Sequence, residues 1–263
     1  MKILILPGDG VGPEITAVTR SVLETLGQKF NLGIEIVERE VSIAAIKRGL
    51  RPMPEQVWEE VQKTPFTILG PVSTMEYPPE VQELPSPSLL IRNGLDLFAN
   101  IRPSKTRIGV PSVSKQMDLV IVRENTEGFY AARAMHEGKG EFMPTPDLAM
   151  SLRKITAEGS RRIAKVAFDL ARTRRKKVTV VHKANVLRLT DGLFLREVRS
   201  VGAAYQDVEI EEVIIDAMAA LLIRQPERFD VVLTTNMFGD ILSDEASELS
   251  GGLGFGGSIN ASN

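Results

Sequence analysis

The stretch that decides the fold is RFDVVLTTNMFGDILSDEASELSGG, residues 228–252. Its apolar, β-branched run 231–235 predicts a buried strand, and the segment that begins at Asn236 has a helical pattern. Asp240 and Asp244 lie four residues apart in that segment, so on a helix they share one face. Two carboxylates on one face suit a hard cation such as Mg²⁺ or Mn²⁺, but they also complement the dipole at a helix N-terminus. The spacing alone favours the second interpretation.

Composition limits the class of protein. A chain of 263 residues can form one large domain or two ordinary ones, and 43% hydrophobic with 25% charged residues is typical of a globular protein. The net charge of −2 gives no indication of a nucleic-acid or membrane partner. The sequence has no cysteine and only two histidines, so thiol chemistry is excluded and a histidine-rich metal site is disfavoured. No stretch has the pattern of a signal peptide or a membrane span, so a cytoplasmic location is expected.

Strand and helix patterns alternate along the chain. The predicted strands are 2–6, 34–37, 66–69, 118–122, 178–181, 213–215 and 231–235. The predicted helices are one that begins at Pro13, with its apolar face at Ile15, Val18, Val22 and Leu26, then 43–48, 55–62, 155–170, 217–224 and the segment after Asn236. This rhythm predicts an α/β fold with parallel strands.

The glycine-rich turn 7–14 has two interpretations. Gly8, Gly10 and Gly12 resemble part of a dinucleotide-binding fingerprint, but proline stands at residue 13, where the third glycine would fall. A Rossmann domain is therefore disfavoured, and so is a phosphate-binding loop, because the turn lacks the lysine that such a loop requires. A tight structural turn and a turn that lies close to a ligand are equally compatible with the sequence.

Three arginines stand near predicted strand ends or loops. The proline- and serine-rich segment 71–90 predicts a surface loop, and Arg92 and Arg102 bracket the apolar stretch after it. Arg123 ends another predicted strand. Such arginines suit bidentate binding of carboxylates or phosphates, although scattered surface salt bridges are the more common explanation. Residues 131–150 predict a projecting excursion.

Two further polar residues follow predicted strands. Lys183 comes directly after a buried strand, where desolvation can make a lysine a general base; an exposed lysine at a strand end is the alternative. Asp216 opens a predicted helix, and an aspartate there needs no function beyond capping. The basic run 172–177 predicts a solvated helix end, because it has no interleaved aromatic residues.

Six segments together resemble the β-decarboxylating dehydrogenase family, which includes isocitrate, 3-isopropylmalate, homoisocitrate and tartrate/D-malate dehydrogenases. They are LPGDGVGPEI at 6–15, the pattern from Arg92 through DLFANIRP at 96–103, VIVRENTEGFY at 120–130, HKANVL at 182–187, IIDAMA at 214–219 and TTNMFGDILSDEAS at 234–247. The segments occur in the family's order and span nearly the whole chain.

The resemblance implies a role for each matching side chain. The implied acid/base pair is Tyr130 and Lys183, and the nicotinamide of NAD, or of NADP, would lie near Asn185. The implied ligands of Mg²⁺ or Mn²⁺ are Asp216, Asp240 and Asp244. The implied contacts of the substituted malate are Ser86, Ser88, Arg92, Arg102 and Arg123. The implied reaction is metal-dependent, NAD(P)-linked oxidative decarboxylation of a 3-substituted (R)-malate.

The implied fold is an isopropylmalate-dehydrogenase-like two-domain α/β fold that is not a Rossmann domain. The first, cofactor-side domain would cover 1–98, with 252–263 returning to it. The second domain, 99–251, would carry the metal site and the dimer contacts, with an arm at about 131–150. The family's adenine-binding segment does not occur in this sequence, so the C-terminal part of the first domain is expected to be missing from it. A homodimer is implied, in which Lys183 and Asp216 reach into the neighbouring subunit's site.

The substrate stays open between several malates. The stretch before Arg92 lacks the acid-plus-leucines pattern of isopropylmalate enzymes, while Ser86 matches isocitrate enzymes and Ser88 replaces their asparagine. A tartrate/D-malate-type dehydrogenase is an alternative. So is a non-catalytic regulatory subunit of the same family, which the intact set of acid, base, arginine and metal positions disfavours.

Overall fold

A computed structural model describes residues 1–130 and 140–262 of the chain. Contacts divide it into two compact units, Met1–Leu95 and Asp96–Asn263. None of the helices in the described segments is long and apolar enough to cross a bilayer.

The first unit is a three-stranded parallel sheet with helices. It contains β1 (Lys2–Leu6), α1 (Gly12–Phe30), β2 (Glu35–Glu38), α2 (Ile43–Ile46), α3 (Glu55–Lys63), β3 (Phe66–Leu69) and α4 (Pro87–Gly94). The strand order is β2-β1-β3, and all pairs are parallel, as the sequence predicts. The central strand β1 is buried because four successive apolar residues leave it no polar face.

Helix α1 differs from the expectation drawn from its spacing. Its apolar stripe, Ile15, Val18, Val22 and Leu26, is between 38% and 63% exposed, whereas Gly12 and Thr16 are its buried residues. The spacing identifies an apolar face correctly, but the helix does not turn that face toward the rest of the described chain. Gly12 and Thr16 face inward instead, because these two residues allow the start of the helix to pack closely against the preceding turn.

The glycine turn is explained by packing of backbone on backbone. Gly8 has φ +73°, and a Cβ built there would lie 2.1 Å from the carbonyl oxygen of Pro71. A Cβ at Gly12 would lie 2.1 Å from the carbonyl oxygen of Pro7. Both distances are far below van der Waals contact, so only glycine fits. The tight structural turn therefore accounts for these two glycines without a ligand.

Helix α4 occupies part of the segment that the sequence predicts as a loop. The prediction for 71–90 followed its proline and serine content. Those residues also give a helix start: Ser86 is the N-cap, its Oγ accepts a hydrogen bond from Leu89 N at 3.2 Å, and Pro87 stands at the first helical position. Composition alone does not separate these two uses of proline and serine.

The second unit is a layered α/β structure. It contains β4 (Ala99–Lys105), β5 (Asp118–Glu124), β6 (Glu141–Thr145), β7 (Leu148–Ser151), α5 (Ala157–Arg172), β8 (Lys177–His182), α6 (Thr190–Gly202), β9 (Glu209–Ile214), α7 (Ile215–Arg224), β10 (Val231–Thr234), α8 (Asn236–Ser250) and β11 (Ile259–Ala261). Six strands form one sheet in the order β11-β4-β5-β10-β8-β9. The neighbouring strands β5, β10, β8 and β9 are parallel to one another, and β4 and β11 are antiparallel to their neighbours.

Both faces of this sheet are covered. Alternate strand residues such as Val120 and Val231 pack with α5 and α6, whose buried residues include Phe168 and Phe194. The strand residues that point to the opposite face of the sheet pack with α7 and α8, where Leu242 is fully buried. Parallel strands buried on two faces read as continuous apolar runs, which is why the sequence predicts β5, β8 and β10. Strand β9 lies at the sheet edge and is mostly exposed, and the sequence predicts a strand only at 213–215.

Strand β4 and the C-terminal segment also differ from what the sequence predicts. The sequence does not predict β4, which contains Pro103, a residue that cannot donate to a strand ladder. Strand β11 pairs with Ala99, Asn100 and Ile101 only, so the proline lies beyond that pairing and its missing N–H leaves no gap. The segment expected to return to the first domain, 252–263, here places β11 on the edge of the second unit's sheet.

The projecting excursion falls partly on residues that the structure describes. Residues 131–139 of the predicted arm lie outside the described residues. The remainder forms an antiparallel hairpin of β6 and β7, with all of its residues exposed. The basic run 172–177, predicted as a solvated helix end, lies at the end of α5 and forms ion pairs: Arg172 contacts Asp207, and Arg174 contacts Asp230.

Candidate active site

The polar residues singled out from the sequence gather at the carboxyl ends of the parallel strands. Arg123 lies near the end of β5, Lys183 follows β8, Asp216 follows β9, and Asp240 lies on α8 after β10. The carboxyl edge of a parallel sheet is the usual position for a ligand in an open α/β fold. The sheet order places these residues in two groups, one on the β4-β5-β10 side and one on the β8-β9 side.

The first group is a cluster of two arginines and two aspartates. Arg123 Nη1 contacts Asp240 Oδ1. Arg102 Nη1 lies 3.7 Å from the same oxygen and 3.3 Å from Asp244 Oδ1. Asp240 and Asp244 therefore do share one face of α8, as their spacing predicts, and both point toward Arg102. The four formal charges sum to zero, so the cluster can exchange its internal ion pairs for an added cation and an added dianion.

Arg123 is fixed from behind by residues that the sequence analysis did not identify. Its Nε and Nη2 donate to Asn236 Oδ1 at 3.0 and 2.7 Å, and Asn236 Nδ2 donates to the carbonyl of Glu127 at 2.9 Å. Arg123 and Asn236 are both buried. The aliphatic part of Arg123 lies against Gly239, where an added Cβ would meet Arg123 Cβ at 2.7 Å. This glycine inside a helix is the sequence signal for a close approach.

Arg102 is oriented by two other polar side chains. Its Nε donates to Asn100 Oδ1 and its Nη1 to Ser243 Oγ, both at 2.8 Å. Asn100 is fully buried and in turn donates to Ser258 and to Asn260 on the β11 side. The position of this guanidinium therefore depends on the pairing of β11 with β4.

Tyr130 lies at the mouth of the same cluster. Its hydroxyl is 3.4 Å from Asp240 Oδ2, and its ring lies 5.8 Å from the guanidinium of Arg123. The side chain is 43% exposed, so its hydroxyl can reach a bound molecule. The sequence placed Tyr130 in this site through the family resemblance, and the structure brings it to the arginines.

Lys183 and Asp216 form the second group. The ammonium of Lys183 contacts Asp216 Oδ1, and this contact lowers the pKa of the aspartate from its ordinary value. Asp216 lies in the first turn of α7, while the N-cap position is held by Ile214. Its carboxylate therefore serves the lysine instead of capping the helix. Lys183 is partly buried and ion-paired, so its environment lies between the two that its position allows, a desolvated lysine and an exposed lysine at a strand end.

The residue before the lysine stabilises the turn that carries it. His182 is buried, and burial lowers the pKa of its imidazole. Its Nδ1 accepts a hydrogen bond from Ala184 N at 3.0 Å, which requires the neutral form at that nitrogen. Asn185 follows on the exposed part of this turn, where its amide is accessible.

Three predicted substrate residues belong to the first unit. Ser86 caps α4, and Ser88 and Arg92 lie four residues apart on that helix, which places them on one face. All three are partly exposed. Their contact with a substrate remains a prediction.

The three predicted metal ligands do not lie together in one chain. Within residues 1–130 and 140–262, no three His, Asp or Glu side chains come together as a metal site. Asp240 and Asp244 supply two oxygen donors on one side of α8, which is the donor chemistry that Mg²⁺ and Mn²⁺ prefer. Asp216, the third predicted ligand, faces Lys183 in the other group. The residues present fit part of a cation site.

Substitution of Gly239 tests the close packing of α8 on Arg123. We expect Gly239→Ala to cost about 1–3 kcal/mol through overpacking, offset in part by the better helix propensity of alanine, about 1 kcal/mol. Urea unfolding measures this change. Gly192→Ala is the matched control, because a Cβ at this α6 glycine meets nothing within 4 Å. A Gly239→Ala variant as stable as Gly192→Ala would show that α8 does not depend on this contact.

Comparison with known proteins shows the family. The model of the isocitrate/isopropylmalate dehydrogenase family matches residues 2–263. The 3-isopropylmalate dehydrogenase of Saccharolobus solfataricus is 39% identical over 98% of this chain and 72% of its own length. The homoisocitrate dehydrogenase of Methanocaldococcus jannaschii is 38% identical over 99% of this chain and 74% of its own. The crystal structure of isocitrate dehydrogenase from Methylococcus capsulatus superposes with a TM-score of 0.87 at 37% identity, covering 99% of this chain and 74% of that one.

The fold and the family match identify an α/β enzyme, a β-decarboxylating hydroxy-acid dehydrogenase. The chain belongs to the isocitrate/isopropylmalate dehydrogenase family. That family is in general NAD(P)-dependent and metal-dependent. Asn236, Gly239, Asn100 and Ser243 are the site residues that the sequence analysis missed. Asn236, Gly239 and Ser243 act on arginines that are distant along the chain, whereas Asn100 lies two residues from Arg102 on β4, a strand that the sequence does not predict.

Proposed function

We propose that the chain catalyses metal-dependent, NAD(P)-linked oxidative decarboxylation of a 3-substituted (R)-malate such as isocitrate, 3-isopropylmalate or homoisocitrate. The observation that carries this proposal is the cluster of Arg102, Arg123, Asp240 and Asp244 with the hydroxyl of Tyr130 at its edge. A tartrate/D-malate-type activity is the second candidate, because the stretch that contains Ser86 and Ser88 has no sequence pattern that selects a large substituent on the malate.

The arginines are suited to a substrate that carries two or more carboxylates. Arg102 and Arg123 are each held by neutral side chains, Asn100 and Asn236, which leave nitrogen donors on the side that faces Asp240. A guanidinium binds a carboxylate through two parallel N–H groups, a geometry that a lysine cannot supply. A bound dicarboxylate would replace Asp240 as their partner, and a divalent cation held by Asp240 and Asp244 would then compensate the charge of the displaced aspartate.

The acid and base roles follow from residue type and position. Oxidation removes a proton from the substrate hydroxyl and a hydride from C2, so a base is needed first. In its neutral amine form Lys183 takes that proton, and Asp216 at its side stabilises the ammonium formed. The 2-ketone then loses the C3 carboxylate as CO₂, and the electron pair of the broken bond forms an enolate. Tyr130 donates the proton that C3 requires.

Two bound groups complete this chemistry. Asp216, Asp240 and Asp244 would hold a divalent cation, which would lower the pKa of the hydroxyl and offset negative charge on the substrate oxygen. A nicotinamide would accept the hydride from C2, with the exposed amide of Asn185 beside it. The family as a whole does not distinguish NAD from NADP for this chain.

A homodimer would unite the two groups of residues. Lys183 and Asp216 pair with each other, while Asp240 pairs with the arginines, so each group has its own partners within one chain. Apolar side chains are exposed on α7, α8 and the hairpin: Ile223, Ile241, Phe142, Met143 and Leu148. An isolated two-stranded hairpin is marginally stable in water, so a second copy that covers it would stabilise it. We propose that Lys183 and Asp216 serve the partner's site.

A substrate and metal screen tests the proposed function. Purified protein is assayed with isocitrate, 3-isopropylmalate, homoisocitrate, D-malate and tartrate, with each nicotinamide cofactor, in the presence of Mn²⁺. We expect turnover with at least one substrate, with formation of CO₂. Treatment with a chelator should abolish turnover, and Mn²⁺ or Mg²⁺ should restore it, because the proposed ligands are oxygen donors. Asp244→Asn should raise the metal concentration needed for half-maximal rate.

The matched control for Asp244→Asn is Asp207→Asn, which removes an exposed carboxylate that pairs with Arg172 away from the site. Full turnover after exhaustive removal of metal would refute the metal-dependent mechanism. Turnover that releases no CO₂ would exclude the decarboxylating step.

A further inference from the structure

We infer that Asp191, held by Arg153, is a positioning residue for Lys183. The inference rests on the proposed function, since it assigns these two residues to the geometry of the proposed base. Neither residue belongs to the set that the sequence analysis singled out.

Asp191 holds the backbone of Lys183. Its Oδ2 accepts a hydrogen bond from Lys183 N at 2.6 Å, and its Oδ1 is paired with Arg153 Nη1. Asp191 is fully buried in the first turn of α6. Both carboxylate oxygens are therefore committed, one to a guanidinium and one to the N–H from which the Lys183 side chain departs.

Arg153 links this contact to the other parts of the site. Its guanidinium donates to Thr190 Oγ1 and to Thr235 Oγ1, each at 3.0 Å. It also lies 5.8 Å from the ring of Phe129 and 5.3 Å from that of Phe238. Its side chain is buried, so the charge depends on Asp191 for compensation.

The partners of Arg153 stand next to the proposed reacting groups in sequence. Thr235 directly precedes α8, which carries Asp240 and Asp244, and Phe129 directly precedes Tyr130. One buried guanidinium thus connects the start of α8, the Tyr130 segment and, through Asp191, the Lys183 turn. A displacement of about 1 Å at a reacting group can cost about 100-fold in rate, so such a link matters to catalysis.

The substitution Asp191→Asn would break the bond to Lys183 selectively. Arginine has donors only, so the new amide must turn its oxygen toward Arg153. Its NH₂ group then faces the N–H of Lys183, and two donors oppose each other. The Lys183 turn should move and the lysine should separate from Asp216. Adding Arg153→Gln should reverse this, because that amide offers an acceptor and frees the first oxygen for Lys183.

The chain offers a matched control at the opposite end of the sheet. Asp230 is also buried, and it pairs one oxygen with Arg174 Nε at 2.8 Å and the other with Arg175 N at 2.8 Å. Asp230→Asn therefore creates the same conflict of donors, with a comparable loss of stability, far from Lys183 in the fold. It separates a positioning effect from a structural one.

The first measurement is independent of activity. The rate at which an amine reagent modifies Lys183 at one fixed pH is followed by mass spectrometry in the wild type and the variants. We expect several-fold faster modification of Lys183 in Asp191→Asn, wild-type rates in Asp230→Asn, and recovery in Asp191→Asn/Arg153→Gln. If Asp191→Asn does not fold, Arg153→Lys replaces it, because this change keeps the buried charge but cannot reach Asp191 and both threonines together. Equal modification rates in all folded variants would overturn the inference.

The second measurement compares the effect of each variant on kcat with its effect on KM. Asp191→Asn should lower kcat by about 100-fold and leave KM for the hydroxy acid nearly unchanged, because the arginines that bind substrate are not altered. Equal kcat losses in Asp191→Asn and Asp230→Asn would show a structural role only. A wild-type chain with no turnover on any hydroxy acid would count against the proposed function, while the modification rates would still decide whether Asp191 positions Lys183.

Discussion

Replacing Lys183 with alanine is expected to lower kcat for hydroxy-acid oxidation by about 10²–10⁴-fold, the range for loss of a positioned proton-transfer group. The reason is structural: the ammonium of Lys183 faces Asp216, and the backbone N–H of Lys183 is held by a buried carboxylate. A base held at both ends cannot be replaced by solvent at the same geometry. Steady-state kinetics with the substrate found in the screen measures the loss.

Tyr130→Phe is the second half of the same prediction. Overall turnover should fall by about 10²–10⁴-fold, because C3 of the enolate lacks its proton donor. Reduction of the supplied 2-keto acid intermediate by the reduced cofactor should continue, since that half-reaction needs no proton at C3. Lys183→Ala should block both directions of the hydride-transfer step.

Matched controls keep the type of change and move it out of the site. Lys165→Ala removes an exposed lysine that pairs with Asp169, and Tyr205→Phe removes a hydroxyl bound to the same aspartate at 2.8 Å. Both should retain wild-type kcat. If Tyr130→Phe blocked reduction of the keto intermediate as fully as Lys183→Ala, the tyrosine would hold the substrate and would not be the proton donor.

Mixing two inactive variants should restore activity if the site is shared between two copies of the chain. A dimer of one Lys183→Ala subunit and one Arg123→Ala subunit would contain one site with both residues intact and one with both defects. Random exchange makes about half of the dimers mixed, so recovery should approach about a quarter of wild-type activity. The motivation is the separation of the Arg123–Asp240 and Lys183–Asp216 pairs within one chain.

The complementation needs two safeguards. Arg102→Ala serves as a second partner variant, because Arg102 is less buried than Arg123 and its loss disturbs folding less. Lys183→Ala mixed with Asp216→Asn is the negative control, since both residues lie in the same group and no intact site forms. Subunit exchange is verified by mass spectrometry of tagged chains. Absence of recovery after verified exchange, or recovery in the control mixture, would contradict a shared site.

The sequence was sufficient for the elements whose signal is local. The strands β1, β5, β8 and β10 are predicted because each contains an apolar run buried on two faces, and β1 and β3 have the predicted bounds. Asp240 and Asp244 share a helix face because four residues make about one turn. The family resemblance then placed Arg102, Arg123 and Tyr130 in one site, and the structure brings these three side chains to the same aspartate.

Local signals failed where one residue type has two uses. Ser86 and Pro87 predict a loop by composition, yet they start α4 because a serine caps the helix and a proline fits its first turn. The spacing of Ile15, Val18, Val22 and Leu26 defines an apolar face of α1, but it cannot say which way the helix turns that face. Here the face is exposed.

By itself, the sequence determined the alternation of strands and helices, the shared face of Asp240 and Asp244, and the residue types that can bind an anion and move protons. Only the tertiary structure decided which side chains hold these residues in place. Asn236 binds Arg123 from 113 residues away, and Arg153 reaches Thr235 across 82 residues. Periodicity reports the environment of a residue over a few turns of chain. A hydrogen-bond partner is set by which strand ends the folded sheet brings side by side, so it has no fixed spacing in the sequence.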